Sequence, residues 1–199
     1  LCAYGITAQG KRELTDFLIV KAEGEDTWKT FLLSLYHRGA KGAALRMVVT
    51  DGQKGAGKAI AYVWPRAAHQ RCWAHKLRNV SNRLKRSQQR CVDEARDIYQ
   101  AATRRQAIEE FRLWKARWAR EAPDAVRCLG ADLEALLEFF DCPMALRRKL
   151  RTTNAIERLF VEVRRRIRTM CAFTTRQSCE RILFSVFDRM NRHWQIHPL

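Results

Sequence analysis

Asp51 is the first residue in the chain whose position suggests chemistry. It follows an apolar run, Met47, Val48 and Val49, so a short buried strand is predicted to end on a carboxylate. Open α/β sheets place their ligand sites at the carboxyl ends of strands, where an Asp can bind a metal ion. The alternative is an ordinary turn formed with Gly52. A magnesium site also needs further oxygen ligands, so the metal interpretation requires a second acid.

Glu157 is the best candidate for that second acid. In "RTTNAIERLFVEVRRRIRTM" it falls at the edge of the apolar face of a predicted helix. Arg164 and Arg168 lie on the same flank, where their guanidinium groups could bind phosphates beside a metal ion. The alternative is structural, with Asn154 as the N-cap and Glu157 as its capping-box partner.

The stretch "CWAH" brings Cys72 and His75 within one turn of each other. Such a pair offers two zinc ligands, whereas a closed structural site needs four. His69 is nearby, but the sequence shows no second close pair, so a zinc site is not expected. A role in orienting the sheet edge and a Cys–His nucleophile couple both stay open.

Charge indicates the class of partner. The 199-residue chain has 38 Lys and Arg against 21 Asp and Glu, a net charge of +17, which favours a polyanion such as nucleic acid. No stretch approaches 18 uncharged apolar residues, so a membrane is not expected as a partner. Two arginine runs, at 147–151 and 164–168, flank Glu157, although Arg165 is predicted to point to solvent with Glu162. The candidate DNA-binding residues are Lys76, Arg78, Arg147, Arg148, Arg151, Arg164, Arg165, Arg166 and Arg168.

The seven cysteines are odd in number and show no regular spacing, and the first ten residues do not resemble a signal peptide. Both observations predict reduced thiols in an intracellular, cytoplasmic protein.

The elements expected to position these residues alternate in type. Strands are predicted in "LCAYGIT" and "ELTDFLIVKA", which form a hairpin, in the run ending at Asp51, and in "AAHQRCWAH". Helices are predicted in "GEDTWKTFLLSLYHRG" and "KGAGKAIAYVWP". This order predicts an α/β fold with one mixed sheet.

The rest of the chain is predicted to be helical. Residues 76–141 are rich in helix formers, and Phe111, Trp114 and Trp118 are expected to pack in a small core of their own. A final helix is predicted to begin at a capping box of Thr174 and Gln177. Two apolar stripes are expected in residues 142–199, formed by Ile156, Leu159, Phe160, Val163, Ile167 and Met170, and by Ile182, Leu183, Val186, Phe187, Met190 and Trp194.

Three motifs, "VVTDGQKG", "QRCWAHKLRNV" and "RTTNAIERL…VRRRIRTM", together resemble the core of the Mutator-type transposases of bacterial insertion sequences. The resemblance implies a ribonuclease-H-like mixed sheet interrupted by an all-helical insertion, with a core at 1–75 and 142–199 and the insertion at 76–141. It also implies three acids, Asp, Asp and Glu, that bind two Mg²⁺ (or Mn²⁺) ions. Asp51 would be the second acid and Glu157 the third, and Cys72 and His75 would be the family's Cys-x-x-His signature.

The implied function is that of a DDE-type transposase, which cuts and joins DNA at the element ends and in target DNA, as a homodimer associated with the nucleoid. Asp51 and Glu157 are accordingly expected to approach within roughly 4 to 8 Å of each other. Two features depart from the family pattern. Phe160 stands where Asn is usual, and the first Asp belongs on a strand before "LCAYGIT". Asp16 is on the wrong strand to replace it.

The chain is therefore expected to be the C-terminal half of a transposase, inactive alone. The competing interpretations are a nucleic-acid-binding remnant without chemistry and an unrelated basic helical protein that binds nucleic acid.

Overall fold

The computed structural model describes residues 1–168, 173 and 175–197, which contain four β-strands and ten α-helices. The strands are β1 (Cys2–Ile6), β2 (Arg12–Phe17), β3 (Met47–Thr50) and β4 (Ala68–Arg71). The helices are α1 (Glu25–His37), α2 (Lys54–Val63), α3 (Trp73–Ser81), α4 (Arg90–Gln100), α5 (Arg104–Trp118), α6 (Pro123–Gly130), α7 (Leu133–Leu137), α8 (Met144–Leu150), α9 (Asn154–Ile167) and α10 (Arg176–Ile196). Short 3-10 turns occupy Arg86–Gln88 and Glu138–Asp141.

The predicted order of elements up to β4 is confirmed, but the prediction of one mixed sheet is wrong for the described residues. Strands β1 and β2 form an antiparallel hairpin, while β3 and β4 form a separate parallel pair that runs in register from Met47 and Ala68 to Thr50 and Arg71. The two small sheets are joined by side-chain packing instead of ladder hydrogen bonds. Val48 of β3 and Ala3 of β1 contribute to the same apolar cluster, which is built on α1 and α2.

The hairpin lies between two helical layers, because side chains alternate across a strand. Ala3 packs with the cluster of α1 and α2, whereas Tyr4 packs with the cluster of α9 and α10. The Tyr4 ring meets Trp194 edge-on, with 5.3 Å between ring centroids. Asn191 of α10 accepts a hydrogen bond from the Leu14 amide at 2.8 Å and donates one to its carbonyl at 3.0 Å. The last helix therefore satisfies backbone groups of β2 much as a further strand would.

Residues 76–141 contain helices and 3-10 turns but no strand, which confirms their predicted helical character. Helix α3 begins at Trp73, so the predicted boundary at residue 76 falls inside a helix. The expected aromatic core is present, since Phe111, Trp114 and Trp118 are all buried in one cluster. The Trp114 indole donates to the Cys91 carbonyl at 2.8 Å, so its buried polar atom is satisfied.

The C-terminal helices differ from their predicted patterns at two points. In α9, Leu159 and Val163 are buried, but Phe160 is 37% exposed, because the buried stripe is narrower than the sequence pattern. Helix α10 is capped by Thr175 with Ser178, one position after the predicted Thr174 and Gln177. The Thr175 hydroxyl reaches the Ser178 amide at 3.1 Å, which fixes this register. Met170 and Thr174 lie outside the described residues. Five of the six residues of the stripe predicted for α10 lie in or against the core, as Val186, Phe187, Trp194, Leu183 and Met190. Ile182 is half-buried and is not part of that cluster.

A cluster of charged side chains attaches the helical segment to β4. Asp132, which precedes α7, binds Arg71 through one carboxylate oxygen and Lys76 through the other. Lys76 is only 5% exposed and also donates to the Cys128 carbonyl at 3.0 Å. A buried ammonium ion needs this compensation, because water no longer solvates its charge.

Replacing Asp132 with Ala should lower the free energy of unfolding by about 3 kcal/mol, because the buried Lys76 charge loses its carboxylate. Chemical denaturation measures this change. Asp124→Ala is the matched control, since it removes an exposed i,i+3 pair with Arg127 and should cost less than about 1 kcal/mol. Equal losses in the two variants would contradict a special role for Asp132.

Candidate active site

Asp51 directly follows β3, at the carboxyl end of the parallel strand pair, as the sequence predicted. Its Oδ1 atom accepts a hydrogen bond from the Gln53 amide at 3.0 Å. Gly52 has φ of +95°, and its amide donates to the Thr50 hydroxyl at 3.3 Å. The Asp-Gly turn considered as the alternative is therefore formed, and it presents an exposed carboxylate at the sheet edge.

Arg71, the last residue of β4, holds this turn in place. Its guanidinium donates to the Gly52 carbonyl at 3.0 Å and binds Asp132 of the helical segment. The positive φ of Gly52 favours glycine, and a Cβ atom at this position would also push the Arg71 guanidinium away from its present place. The loop that carries Asp51 is thus fixed to residues that lie some eighty positions later in the chain.

Cys72 joins the end of β3 to the beginning of α9. Its amide donates to the Thr50 carbonyl at 2.7 Å. Its buried sulfur accepts hydrogen bonds from the amide and the hydroxyl of Thr153, at 3.2 and 3.3 Å. These contacts support an orienting role for Cys72, which is one of the interpretations that the sequence left open for the Cys-x-x-His pair.

His75 lies between Thr153 and Glu157. Its Nδ1 atom is 3.4 Å from the Thr153 hydroxyl, and its Nε2 atom is 3.4 Å from Glu157 Oε1. The capping box of Asn154 and Glu157, which was the structural alternative for Glu157, is not formed, because Thr153 is the N-cap and Glu157 faces His75. The Thr153 hydroxyl does not cap α9 either, since it is turned toward Cys72 and His75.

The Glu157 side chain is 42% exposed, but its two carboxylate oxygens differ in their surroundings. Oε1 is shielded from solvent but makes no hydrogen bond within the described residues, since the 3.4 Å approach of His75 Nε2 lacks hydrogen-bond geometry. A shielded carboxylate oxygen without a donor is costly unless a cation or water compensates it. This observation and the hard oxygen donors of Asp51 and Glu157 fit a divalent cation. In the described part of the chain, no three His, Cys, Asp or Glu side chains are grouped to hold a metal ion.

The predicted DNA-binding residues fall into two groups. Arg78, Arg148, Arg164 and Arg168 are exposed and make no ion pair within the described residues. The second group is engaged with the protein, and its members are Lys76, Arg147, Arg151, Arg165 and Arg166.

The engaged residues have identifiable partners. Arg147 donates to three backbone carbonyls, those of Cys142, Phe140 and Ala102. Arg151 donates to the Tyr99 carbonyl and lies over the Tyr99 ring at 4.6 Å.

Arg165 and Arg166 share the carboxylate of Glu162, and these hydrogen bonds lower the Glu162 pKa to about 2. Arg165 is exposed, as predicted, whereas Glu162 is half-buried, and the ion pair between the two was not predicted. Because Glu162 offsets one of the two positive charges, this stretch offers less charge to DNA than Arg164 and Arg168 do.

Among the described helices, none is long and apolar enough to cross a bilayer.

Sequence analysis missed three positioning residues, Arg71, Asp132 and Thr153. Thr153 and Asn154 are both residue types found at N-caps, and helix starts are uncertain by one or two residues, so the sequence could not single out Thr153. Nothing in the sequence pairs Arg71 with Asp132, because their contact depends on how α7 packs against β4.

Gly52→Ala should destabilise the protein by about 1 to 3 kcal/mol, because alanine is strained at a positive φ and its Cβ would displace Arg71. Gly42→Ala is the control, since a Cβ there would meet Trp64 at an ordinary 3.7 Å. Denaturation of both variants measures the difference. A Gly52→Ala variant as stable as Gly42→Ala would show that Arg71 does not restrain the turn.

Comparison with known proteins identifies the chain's relatives. The family model "Transposase, Mutator family" matches residues 1–197. The chain is 33% identical over 195 residues to the transposase for insertion sequence element ISRM5 of Rhizobium meliloti (strain 1021), which covers 98% of this chain and 48% of that protein. It is also 33% identical to the transposase for element IST2 of Acidithiobacillus ferrooxidans, over 98% of this chain and 66% of that protein.

The transposase for element IS256 in transposon Tn4001 of Staphylococcus aureus is 30% identical over 96% of this chain and 49% of its own length. The chain thus spans about half to two thirds of the length of these curated relatives. The match over 197 of its 199 residues is nonetheless almost complete from the chain's side, and the chain belongs to the Mutator family of transposases.

Proposed function

We propose that this chain carries two of the three catalytic acids of an insertion-sequence transposase, Asp51 and Glu157, together with a DNA-binding surface. The reaction is hydrolysis of a DNA phosphodiester followed by attack of the freed 3′ oxygen on target DNA. The observation that carries the proposal is the hydrogen-bonded connection from Thr50 through Cys72 and Thr153, which links the strand before Asp51 to the helix of Glu157. The relatives' names, which are those of insertion-sequence transposases, support the same activity.

We also propose that the fold is a ribonuclease-H-like core interrupted by a helical insertion. Two observations support it. Residues 76–141 form a cluster separate from the two clusters around the hairpin. After this segment the chain returns to the hairpin, where α10 binds Leu14 of β2 through Asn191. A core split by an insertion requires such a return.

Asp51 and Glu157 would hold Mg²⁺ or Mn²⁺ through their carboxylate oxygens. When bound, a pair of such ions activates the attacking oxygen and stabilises the leaving one. The protein's own contribution is position. His75 and Thr153 restrict where the Glu157 carboxylate lies, while Arg71 holds the turn of Asp51. Accurate positioning accounts for much of the catalysis of phosphoryl transfer.

Duplex DNA would bind along exposed arginines of the α9 helix that carries Glu157, chiefly Arg164 and the C-cap residue Arg168. Lys76 is left out of this surface because it is buried against Asp132. A homodimer that brings two element ends together is part of the proposal. The interpretation as an unrelated helical protein is excluded by the family match. A DNA-binding chain without chemistry remains the second candidate, since only two of the family's three acids match positions here.

A cleavage assay separates these two candidates. The 199-residue chain and a version extended upstream are incubated with DNA and Mg²⁺ or Mn²⁺. We expect the short chain to bind DNA without cutting it, because two acids leave one ion without a bridging carboxylate. The extended version should cut, and Asp51→Asn or Glu157→Gln should each lower its rate by at least about 100-fold, as loss of a directly acting group does.

Two outcomes would contradict this proposal. Metal-dependent nicking by the short chain, abolished by Asp51→Asn, would show that another acid within it, such as Asp16, completes the site. Asp16 at present binds Arg38 and the Phe17 amide. An extended version that cuts equally well with Glu157→Gln would remove Glu157 from the site.

DNA binding should be strongly salt-dependent, because a chain with a net charge of +17 displaces counterions from the duplex when it binds. Replacing Arg164 and Arg168 by Gln should reduce the slope of log K against log salt by about 1.8, that is about 0.9 for each phosphate contact on B-DNA. Fluorescence anisotropy over a salt series measures the slope.

The control is the double variant of Arg165 and Arg166 to Gln, which removes the same formal charge from the neighbouring positions. Its slope should change by less than half as much, because Glu162 already binds both side chains. Equal slopes for the two double variants would show that DNA does not follow the Glu157 flank of α9.

A further inference from the structure

A groove of about 720 Å³ lies between α3, α4, α8 and the start of α9, and neither Asp51 nor Glu157 lines it. It is formed where the helical segment meets α8 and the start of α9. Its walls carry an excess of arginine, and the charged residues that line it are Arg78, Arg96, Arg148, Arg151 and Asp93.

The charge of the groove is largely uncompensated. Asp93 is its one acidic lining residue among the described positions, and it is 3.4 Å from Arg96 in an exposed pair. Arg78 and Arg148 have no carboxylate within ion-pair distance in the described part of the chain. Arg151 binds only the Tyr99 carbonyl and ring. Like charges collected without counterions favour an anionic occupant, and repeated arginines favour one with several phosphates.

The size of the groove indicates a single strand. Its volume lies within the range of about 300 to 1,000 Å³ that is typical of small-ligand sites, which favours a few nucleotides of one strand over a whole duplex as the occupant. The two aromatic residues that line the groove, Tyr99 and Trp73, already pack against other groups. Tyr99 has the Arg151 guanidinium over one side and the Trp73 ring against it, with centroids 5.0 Å apart. Recognition would therefore use phosphates more than base stacking.

The groove begins beside the candidate active site. Its lining includes Thr152 and Asn154, which flank Thr153, and Ala74, which precedes His75. Thr153 and His75 contact Cys72 and Glu157, so a phosphate held near Glu157 lies at one end of the groove. A DNA strand that continues from such a phosphate, away from Glu157, would run along the positively charged groove.

We propose that this groove binds the single DNA strand that adjoins the phosphate to be cut, through its phosphates and without sequence preference. This inference rests on the proposed function, because it takes DNA as the substrate and Glu157 as part of the active site. It assigns the helical segment a task in the reaction, which is to hold one strand apart from its complement next to the cleavage site.

The test uses the 199-residue chain and labelled DNA in EDTA, so that binding is measured without cleavage. The two DNAs share one duplex, and one of them carries a single-stranded overhang. The groove variant is Arg78→Gln with Arg148→Gln. The matched control, Arg105→Gln with Arg120→Gln, removes two exposed arginines that do not line the groove. Circular dichroism and denaturation confirm that both variants fold.

Wild-type chain should prefer the overhang DNA, and the groove variant should lose that preference. We expect at least tenfold weaker binding to the overhang DNA and less than threefold weaker binding to the blunt duplex. The salt slope for the overhang should fall by about 1.4, the value for two lost contacts to a single strand. The control should weaken binding to both DNAs to the same small extent.

Three results would overturn the proposal. They are an equal loss on both DNAs in the groove variant, the absence of any preference for the overhang in the wild type, and a stronger preference for an RNA overhang than for a DNA overhang. The cleavage assay and the binding assay together distinguish failure of the proposed reaction from failure of the groove assignment. If the upstream-extended version cuts DNA but the overhang preference is absent, the groove assignment alone is wrong. If the preference is present and no version cuts, the transposase chemistry alone is wrong.

Discussion

The contacts of Cys72 hold together the parts of the chain on which the candidate site depends. Its amide binds the Thr50 carbonyl, which extends the pairing of β3 with β4 by one residue and fixes the point where Asp51 leaves the strand. Its sulfur accepts two hydrogen bonds from Thr153, which fixes where α9 begins and hence where Glu157 lies. A small, buried, polarisable acceptor suits this position, because a larger side chain would separate the strand from the helix.

The helical segment is attached to the same strand by independent hydrogen bonds. Gln70 of β4 is fully buried, and its side-chain amide donates to the Leu136 carbonyl and accepts from the Phe139 amide. Trp73 donates to the same Leu136 carbonyl at 2.7 Å. Buried polar groups that are satisfied in this way specify one arrangement, because any shift leaves several of them unpaired. These hydrogen bonds attach the segment, and with it one wall of the groove, to the strand and helix that carry Gln70 and Trp73.

The distribution of charge separates structural arginines from available ones. Arg147 donates to backbone carbonyls, and Arg71 binds the Gly52 carbonyl and Asp132, so both side chains are engaged within the protein. The residues that follow them in sequence, Arg148 and Cys72, do not share these contacts. The net charge of +17 thus overstates what is offered to a partner at any single place. Several arginines on the flank of α9 and in the groove have no carboxylate partner in the described part of the chain. Their favourable electrostatic interaction is therefore made only when a polyanion binds.

The sequence by itself determined the local features of the protein. Period-two and period-3.6 patterns identified the hairpin, the helices and the strand ending at Asp51, because side-chain alternation depends only on neighbouring residues. The net charge indicated a polyanionic partner, and the resemblance of three motifs, in their order, indicated the family. The tertiary structure decided the rest. It separated the strands into two small sheets, made Thr153 the N-cap of α9, turned Phe160 outward and buried Lys76 against Asp132. These outcomes follow from contacts between residues far apart in the chain, and no local pattern encodes which distant group will satisfy a hydroxyl or a buried charge.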